Sequence, residues 1–195
     1  DKVRRLQLPE PAETTLAALE NARLSRVAIN QRLDQLLSEQ QALRASLNSW
    51  PQASAASPEE QAMQTLSRQR IHDELWNHWQ ISHLPEIGRS IGRLRLEGVY
   101  LCDFPAQLPD FIFERIRRLE LNDVMVDIRR TPNTNDALGN LFSRFPHLTS
   151  LTISRSSLST GFRELELLDT GVIRELRLAS AFPTCWPEAL AGCGS

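Results

Sequence analysis

The spacing of apolar residues in one stretch limits the possible folds of this chain more than any other feature. The stretch, IGRLRLEGVYLCDFPAQLPDF at residues 91–111, has apolar residues at Ile91, Leu94, Leu96, Val99, Leu101, Phe104 and Leu108. The gaps of 3, 2, 3, 2, 3 and 4 residues match neither the period of a helix nor the strict alternation of a strand. They fit a short strand with Leu94 and Leu96 on one face, followed by a tight turn and an irregular return segment.

The same spacing recurs further along the chain. The later copies are Ile116, Leu119 and Leu121 with Val124 and Val126; Leu148, Leu151 and Ile153 with Leu158; and Ile173, Leu176 and Leu178. Successive copies begin 25, 32 and 25 residues apart, and the longer unit contains TPNTND at 131–136, which has the composition of a surface loop. The spacing L-x-x-L-x-L, repeated at about 20–29 residues, is typical of leucine-rich repeats.

Residues 86–195 are therefore predicted to form an α+β solenoid, a short leucine-rich-repeat stack of about four units with a parallel β-sheet on the concave face. Each unit in such a stack buries its leucines only against its neighbours, so the first unit needs a cover. The chain begins at Asp1 without Met and nothing resembling the first unit's cover follows the last leucines. We expect it to be a piece of a longer protein, truncated at the C-terminus, in which more repeats or another domain follow.

Residues 1–85 have the pattern of an α-helical hairpin that would supply the cover. Apolar residues at alternating three- and four-residue steps are Leu19, Ala22, Ile29, Leu33, Leu36, Leu43, Leu47 and Trp50, with Arg26 and Gln40 as polar members of the series. This predicts one long helix from about Glu13 to about Asn48, ending before Pro51. Ser57 is the predicted N-cap of a second helix that runs to about Trp79 and carries Met63, Leu66, Ile71 and Leu75. A monomer is expected, and a dimeric coiled coil is the alternative.

Composition and motifs exclude several classes of function. The net charge of −2 is spread evenly, so no basic surface for nucleic acid is expected, and no apolar run is long enough for a membrane span. Cys102, Cys185 and Cys193 form no C-x-x-C pair, and no metal-ligand, cofactor-binding or catalytic motif is found. Cys102 is expected to be a small structural thiol, with an enzymatic nucleophile as the alternative. His72, His78 and His83 are expected to be solvated near a helix end.

The outward side chains of the predicted strands are the candidate binding residues. With Leu94 and Leu96 inward, alternation turns their neighbours outward. Across the four units these form one row of Arg93, Arg118, Ser150 and Glu175, a second of Arg95, Glu120, Thr152 and Arg177, and a third of Glu97, Asn122, Ser154 and Ala179. The predicted partner-binding residues are Arg93, Arg95, Glu97, Arg118, Glu120, Asn122, Thr152, Ser154, Glu175 and Arg177, the arginines because that residue is enriched at interaction hot spots. Solvated side chains whose opposite charges pair across strands are the alternative.

Several segments resemble a known family. The segment SRQRIHDELWNHWQ, followed by LRLEGVYLCDFPAQLP, LELNDVMV and LFSRFPHLTSLTIS, is similar to the repeat region of bacterial secreted leucine-rich-repeat ubiquitin ligases of the NEL (IpaH-like) family. In that family a Trp-containing helical segment precedes the repeats, and F-P-x-L-x-x-L-x-(L/I) recurs, as at Phe145–Ile153. The resemblance covers about residues 65–190. Here the turn Asn of the family's units is replaced by Val99, Val124, Ser156 and Ala181, and most of its L-P-x-L-P doublets are absent.

The resemblance implies a substrate-recognition and autoinhibitory module of an effector that is secreted into the host cell cytoplasm. The family's catalytic cysteine lies in a separate helical domain after the repeats and has an acidic residue two positions later. Cys102, Cys185 and Cys193 lack that spacing, so the resemblance implies no catalytic residue in this segment. A host protein, or a part of the same protein, is the expected partner on the concave face. The alternative function is a structural or autoregulatory repeat domain of a large bacterial toxin that contacts its own neighbouring domains.

Overall fold

The computed structural model of the chain describes residues 2–9, 11–50, 57–82, 92–125, 141–155 and 173–179. Its helices are α1 (Lys2–Arg5), α2 (Ala12–Asn21), α3 (Arg26–Asn48), α4 (Pro58–Ser82) and α5 (Phe111–Glu114), with a 3₁₀ turn at Leu101–Asp103. Its strands are β1 (Arg93–Glu97), β2 (Arg118–Asn122), β3 (Ser150–Ser154) and β4 (Glu175–Ala179). The predicted α+β class is confirmed. Features predicted at Ile91, Val126, residues 131–136, Leu158, His83, Ser156, Ala181, Cys185 and Cys193 lie outside the described residues.

The four strands form one sheet in the order β1-β2-β3-β4. Every neighbouring pair is parallel, and Leu94, Leu119, Leu151 and Leu176 align in register across it. This alignment confirms the prediction made from the spacing of the leucines. In β1 to β3 the inward residues, Leu94, Leu96, Leu119, Leu121, Leu151 and Ile153, are at most 1% exposed. Slipping any of these strands by one residue would turn its leucines to solvent, which is why the apolar pattern fixes the register.

The backbone repeats at both ends of the strands. Before β2, β3 and β4, a single carbonyl oxygen of the preceding unit accepts two N–H groups: Gly92 from Arg117 and Arg118, Arg117 from Thr149 and Ser150, and Thr149 from Arg174 and Glu175. After β1, β2 and β3, one residue has a positive φ: Gly98 at 61°, Asp123 at 51° and Arg155 at 49°. The chain therefore enters β2, β3 and β4 by a similar path, and it leaves β1, β2 and β3 by a similar path.

Behind the sheet, aromatic and aliphatic side chains join the units. Phe113 packs edge-on against Phe145, with their ring centroids 5.1 Å apart, and the guanidinium of Arg144 lies 4.4 Å from the centroid of the Phe113 ring. Arg144 also donates hydrogen bonds to the carbonyl oxygens of Pro105 and Leu108. This layer continues the core of the sheet, since Ile112, Ile116 and Leu148 are also buried.

The predicted helix from Glu13 to Asn48 is wrong, because the chain forms two helices there. After α2 ends at Asn21, Arg23 adopts a φ of 57°, and Ser25 then caps α3 by accepting the N–H of Ala28 at 3.2 Å. The apolar period continues through this break, with Leu19 and Ile29 both buried while Ala22 and Arg26 are exposed. A local turn and a side-chain cap have therefore overridden the helical period.

Helix α1, which was not predicted from the sequence, explains why the polar residue Gln40 stands among the regularly spaced apolar residues of α3. Val3 of α1 and Leu6 just after it are buried in the core, and α1 packs against α3. The side-chain amide of Gln40, which is 4% exposed, donates to the carbonyl oxygen of Leu6 at 2.8 Å. Gln40 thus satisfies a buried backbone acceptor.

Helix α4 runs antiparallel to α3 and packs against β1. Arg44 of α3 lies over the ring of Trp76, and Arg68 lies over the ring of Trp50. Trp50 follows Arg44 along the chain, whereas Arg68 precedes Trp76 in α4, so the two helices run in opposite directions. Ile71, Leu75 and Trp79 are fully buried, and α4 ends at Ser82, three residues beyond the predicted end. One prediction for α4 is wrong, because His78 is buried rather than solvated. Met63 and Leu66, two of the apolar residues in the predicted helix, are 48% and 52% exposed, because the face they share looks away from the core. None of the helices described combines the length and the apolarity that spanning a membrane requires.

Candidate functional site

The outward residues of the four strands lie together on one side of the sheet, and we call them the polar face. Register places Arg93, Arg118, Ser150 and Glu175 in row one, Arg95, Glu120, Thr152 and Arg177 in row two, and Glu97, Asn122, Ser154 and Ala179 in row three. All the predicted partner-binding residues are in these rows. Arg93, Arg95, Glu97, Arg118 and Arg177 are exposed, whereas Glu120, Asn122, Thr152, Ser154 and Glu175 are half-buried.

Ser150 departs from the predicted outward exposure, since only 6% of it is exposed. Its hydroxyl donates to Oε2 of Glu175 on the neighbouring strand at 3.0 Å. This hydrogen bond is the main reason that the pKa of Glu175 lies below its ordinary value, followed by the hydrogen bond and the positive charge from Arg177. Glu175 is therefore held ionised at neutral pH.

Three arginines of the polar face have a glutamate partner within the face. Arg93 reaches from β1 to Glu120 of β2, with Nη2 and Oε2 2.6 Å apart. Arg95 and Glu97 pair within β1 at 2.6 Å, and Arg177 and Glu175 pair within β4 at 2.5 Å. Exposed pairs of this kind stabilise a fold by about 0.2–1 kcal/mol at most. Of these three pairs, Arg93 and Glu120 fit the alternative of pairing across strands, whereas the other two lie along a strand.

Arg118 differs from these arginines. Its side chain is exposed at the start of β2, directly beside Arg93 in row one. Among the ion pairs of the described residues, none includes Arg118. Its charge acts on Glu175 only at a distance, as the weakest of the influences on the pKa of that carboxyl group.

A cleft between α4 and β1 borders the polar face. It has a volume of ≈ 260 Å³ and is lined by Glu74, Asn77, His78, Ile81, Ser82, Gly92, Arg93 and Arg95. Burial raises the pKa of Glu74, and the positive charges of Arg95 and Arg93 offset part of that rise. This cleft was not predicted from the sequence, although the spacing of Glu74, His78 and Ser82 by four residues places them on one helical face.

His78 connects the cleft to the frame of the sheet. Its ring nitrogens Nδ1 and Nε2 lie 3.3 Å and 3.2 Å from the carbonyl oxygens of Arg93 and Ile112. The first of these belongs to the edge strand and the second to α5. His78 therefore contacts two backbone segments at the end of the sheet, and its role is to stabilise the fold rather than to bind a partner.

A second cleft lies where the end of α3, helix α4 and the 3₁₀ turn meet, beside Cys102, the thiol for which an enzymatic role was the alternative. Cys102 is half-buried and reduced, and the cleft of ≈ 410 Å³ beside it is also lined by Trp50, Arg68 and Phe104. Within the part of the chain that the structure describes, no group of three His, Cys, Asp or Glu residues could hold a metal ion. Arg68 is the arginine in the lining of this cleft, and it forms an ion pair with the buried Asp103 at 3.6 Å.

The chain was also compared with known proteins. No protein-family model, no curated protein and no solved structure matches it. The assignment of a function to the polar face therefore depends on the residues and contacts described above.

Proposed function

We propose that this chain is a non-catalytic protein-interaction module, built as a short leucine-rich-repeat solenoid and binding a partner through its polar face. The observation that carries the proposal is the register of the four parallel strands. It places the leucines of every unit in line and leaves rows of charged and hydroxyl side chains outward on a rigid frame. Binding residues positioned by such a frame lose little conformational freedom when a partner arrives.

The repeated backbone geometry supports the solenoid. Each of the last three strands is preceded by a carbonyl oxygen, in an equivalent position, that accepts two N–H groups. Each of the first three strands is followed by a residue with positive φ. Units that repeat in backbone as well as in sequence, and that stack in the order of the chain, are the pattern of quasi-one-dimensional repeat proteins.

The contacts of α4 support its role as the cap of the first unit. Ser67 accepts the backbone N–H of Tyr100 at 2.9 Å, and Arg70 donates to the carbonyl oxygen of Gly98 at 2.8 Å. These backbone groups lie just beyond the edge strand β1. An open edge leaves such groups and the apolar layer unsatisfied, and α4 provides partners for both.

The size of the polar face sets a condition on the partner. Four strands with three outward rows cover about 14 Å by 13 Å, given strand spacings of about 4.8 Å and rises of about 3.3 Å per residue. That is on the order of 200 Å², whereas a partner in a stable complex covers about 800 Å². The partner must therefore extend past the four strands, and the cleft beside α4 is the adjoining surface.

The resemblance to the repeat region of bacterial secreted ubiquitin ligases supports a more specific proposal. In it, this module selects the substrate, the catalytic domain lies elsewhere in the parent protein, and the partner is a host protein in the cytoplasm of the infected cell. The exposed arginines of the polar face are suited to this task because arginine forms bidentate hydrogen bonds with carboxylates.

Affinity capture from host lysate tests the proposal. The double variant Arg95→Ala/Arg177→Ala removes two exposed charges from row two, and the matched control Arg4→Ala/Arg26→Ala removes two exposed charges from the N-terminal helices. We expect a captured host protein to be retained by the native chain and the control, and to be lost from the row-two variant. Equal capture by all three chains would show that binding occurs elsewhere.

A further inference from the structure

We propose that Arg118 anchors the partner by binding a carboxylate, and that the partner accordingly presents an acidic segment, rich in aspartate or glutamate side chains, to row one of the polar face. This inference rests on the proposed function, because it specifies the chemistry of the partner at the same surface.

Among the arginines of the face, Arg118 is the one that forms no ion pair with another described residue, and its charge acts on Glu175 only at a distance. Arg93, Arg95 and Arg177 each have a glutamate oxygen within 2.6 Å. The carboxylates nearest to Arg118 along its strand and its row are Glu120 and Glu175, and both are engaged. Glu120 binds Arg93, while Glu175 accepts the hydroxyl of Ser150 and pairs with Arg177.

Row one also places two like charges side by side. Arg93 and Arg118 are paired residues of adjacent strands, and like charges in directly opposite positions destabilise a sheet. Departures from a local rule of this kind are expected at functional or strained sites. A carboxylate placed between the two side chains would turn this repulsion into two attractive contacts.

The donors for such a clamp are present. A guanidinium group has five N–H donors, and Arg93 uses Nη2 for Glu120, which leaves further donors on the same group. Arg118 adds the N–H donors of its own guanidinium group from the next strand. Two guanidinium groups that converge on one carboxylate give the planar, charge-assisted geometry that arginine favours over lysine.

The test measures the binding of fluorescent peptides to the full chain by anisotropy. The probes are hexaglutamate and, as an uncharged match, hexaglutamine, and the variants are Arg118→Ala, Arg118→Lys and the exposed-site control Arg26→Ala. We expect the native chain to prefer hexaglutamate, and Arg118→Ala to weaken that binding by about tenfold or more, as expected for the loss of charged hydrogen bonds. Arg118→Lys should fall between them, and Arg26→Ala should match the native chain.

Folding and partner binding separate this inference from the proposed function. The thermal midpoint of Arg118→Ala should stay close to that of the native chain, because Arg118 is exposed and forms no ion pair with the other described residues. Hexaglutamate binding that is unchanged in Arg118→Ala, or no stronger than hexaglutamine binding, would overturn the inference. So would displacement of hexaglutamate by an oligoadenylate RNA of equal charge at equal concentration, which would indicate a general anion surface. If Arg118→Ala keeps the captured protein that Arg95→Ala/Arg177→Ala loses, the proposed function stands and the anchor is wrong.

Discussion

Two surfaces of the first unit use polar side chains in opposite ways. At the junction with α4, side chains bind backbone atoms: Ser67 binds the N–H of Tyr100 and Arg70 binds the carbonyl oxygen of Gly98. On the polar face, Arg95 and Glu97 bind one another in solvent. The N–H of Tyr100 is part-buried, and a buried backbone group that loses its partner costs the fold free energy, whereas exposed ion pairs add little. The junction therefore maintains the fold, and the face can change with little effect on stability.

The largest expected effect comes from emptying the core of the junction. Leu75 is fully buried in α4, whereas Leu66 of the same helix is 52% exposed. We expect Leu75→Ala to lower the free energy of unfolding by about 2–5 kcal/mol, through lost burial and the cavity left behind. Leu66→Ala, the matched control, should change it by less than about 0.5 kcal/mol. Denaturant unfolding measures both, and equal losses would contradict the packing of α4 against β1.

The glycines on either side of β1 give the second effect. A Cβ at Gly92 would meet the backbone oxygen of Arg115 at 2.4 Å, whereas at Gly98 it would meet the end of the flexible Arg70 side chain. Both residues have positive φ, so either alanine variant should cost about 1–2 kcal/mol in strain. Gly92→Ala should cost more, because a backbone atom cannot swing away as a side chain can. Thermal unfolding of the two variants would contradict this if Gly98→Ala proved the less stable.

A pair of serine variants compares the junction with the polar face directly. Ser67 is buried and accepts a backbone N–H, while Ser154 is half-buried and bonds the side-chain amide oxygen of Asn122. Ser67→Ala leaves the N–H of Tyr100 without that acceptor and should cost about 1–3 kcal/mol. Ser154→Ala leaves an oxygen that water can reach, and should cost less than about 1 kcal/mol. Comparable losses in urea unfolding would remove the distinction between the two surfaces.

The strand register could be predicted from the sequence because its cause is local. The L-x-x-L-x-L spacing sets which residues turn inward, and once Leu94 and Leu119 are both inward their outward neighbours must share rows. The same reasoning placed Arg93 beside Arg118. The helix break was not predictable from the apolar pattern, since Leu19 and Ile29 remain buried on either side of it, and the turn depends on Arg23 and Ser25 instead.

The buried polar residues could not be predicted, because their partners are far away along the chain. Gln40 binds the carbonyl oxygen of Leu6 and His78 lies beside that of Ile112, each 34 residues away. Nothing in the spacing of neighbouring residues reports such a contact. A polar residue in an apolar series therefore predicts only that some partner exists. The cleft beside Glu74 was missed for the same reason, since Arg93 and Arg95 of β1 and Gly92 just before it complete the lining that α4 begins.

The smallest expected effect lies where the two surfaces meet, at Glu74. Burial raises the pKa of this carboxyl group despite the nearby Arg95 and Arg93. A raised pKa means that the ionised form is less favourable in the folded chain than in the unfolded one, so ionisation costs stability. That cost is absent below the unfolded pKa and is complete above the folded pKa.

Glu74→Gln, which resembles the protonated form, should therefore raise the thermal midpoint at pH 7, and the gain should disappear by about pH 3, below the ordinary glutamate pKa of about 4.3. Glu13→Gln, at an exposed site in the first turn of α2, should instead lower the midpoint slightly at pH 7, because a negative charge there is favourable to the helix dipole. Thermal unfolding across this pH range measures both variants. A gain for Glu74→Gln that persisted at pH 3 would mean that the variant acts through packing rather than charge, and a loss at pH 7 would mean that Arg93 and Arg95 outweigh burial. In that last case the charges of the polar face, rather than burial at the junction, would determine the ionisation of Glu74 in the cleft.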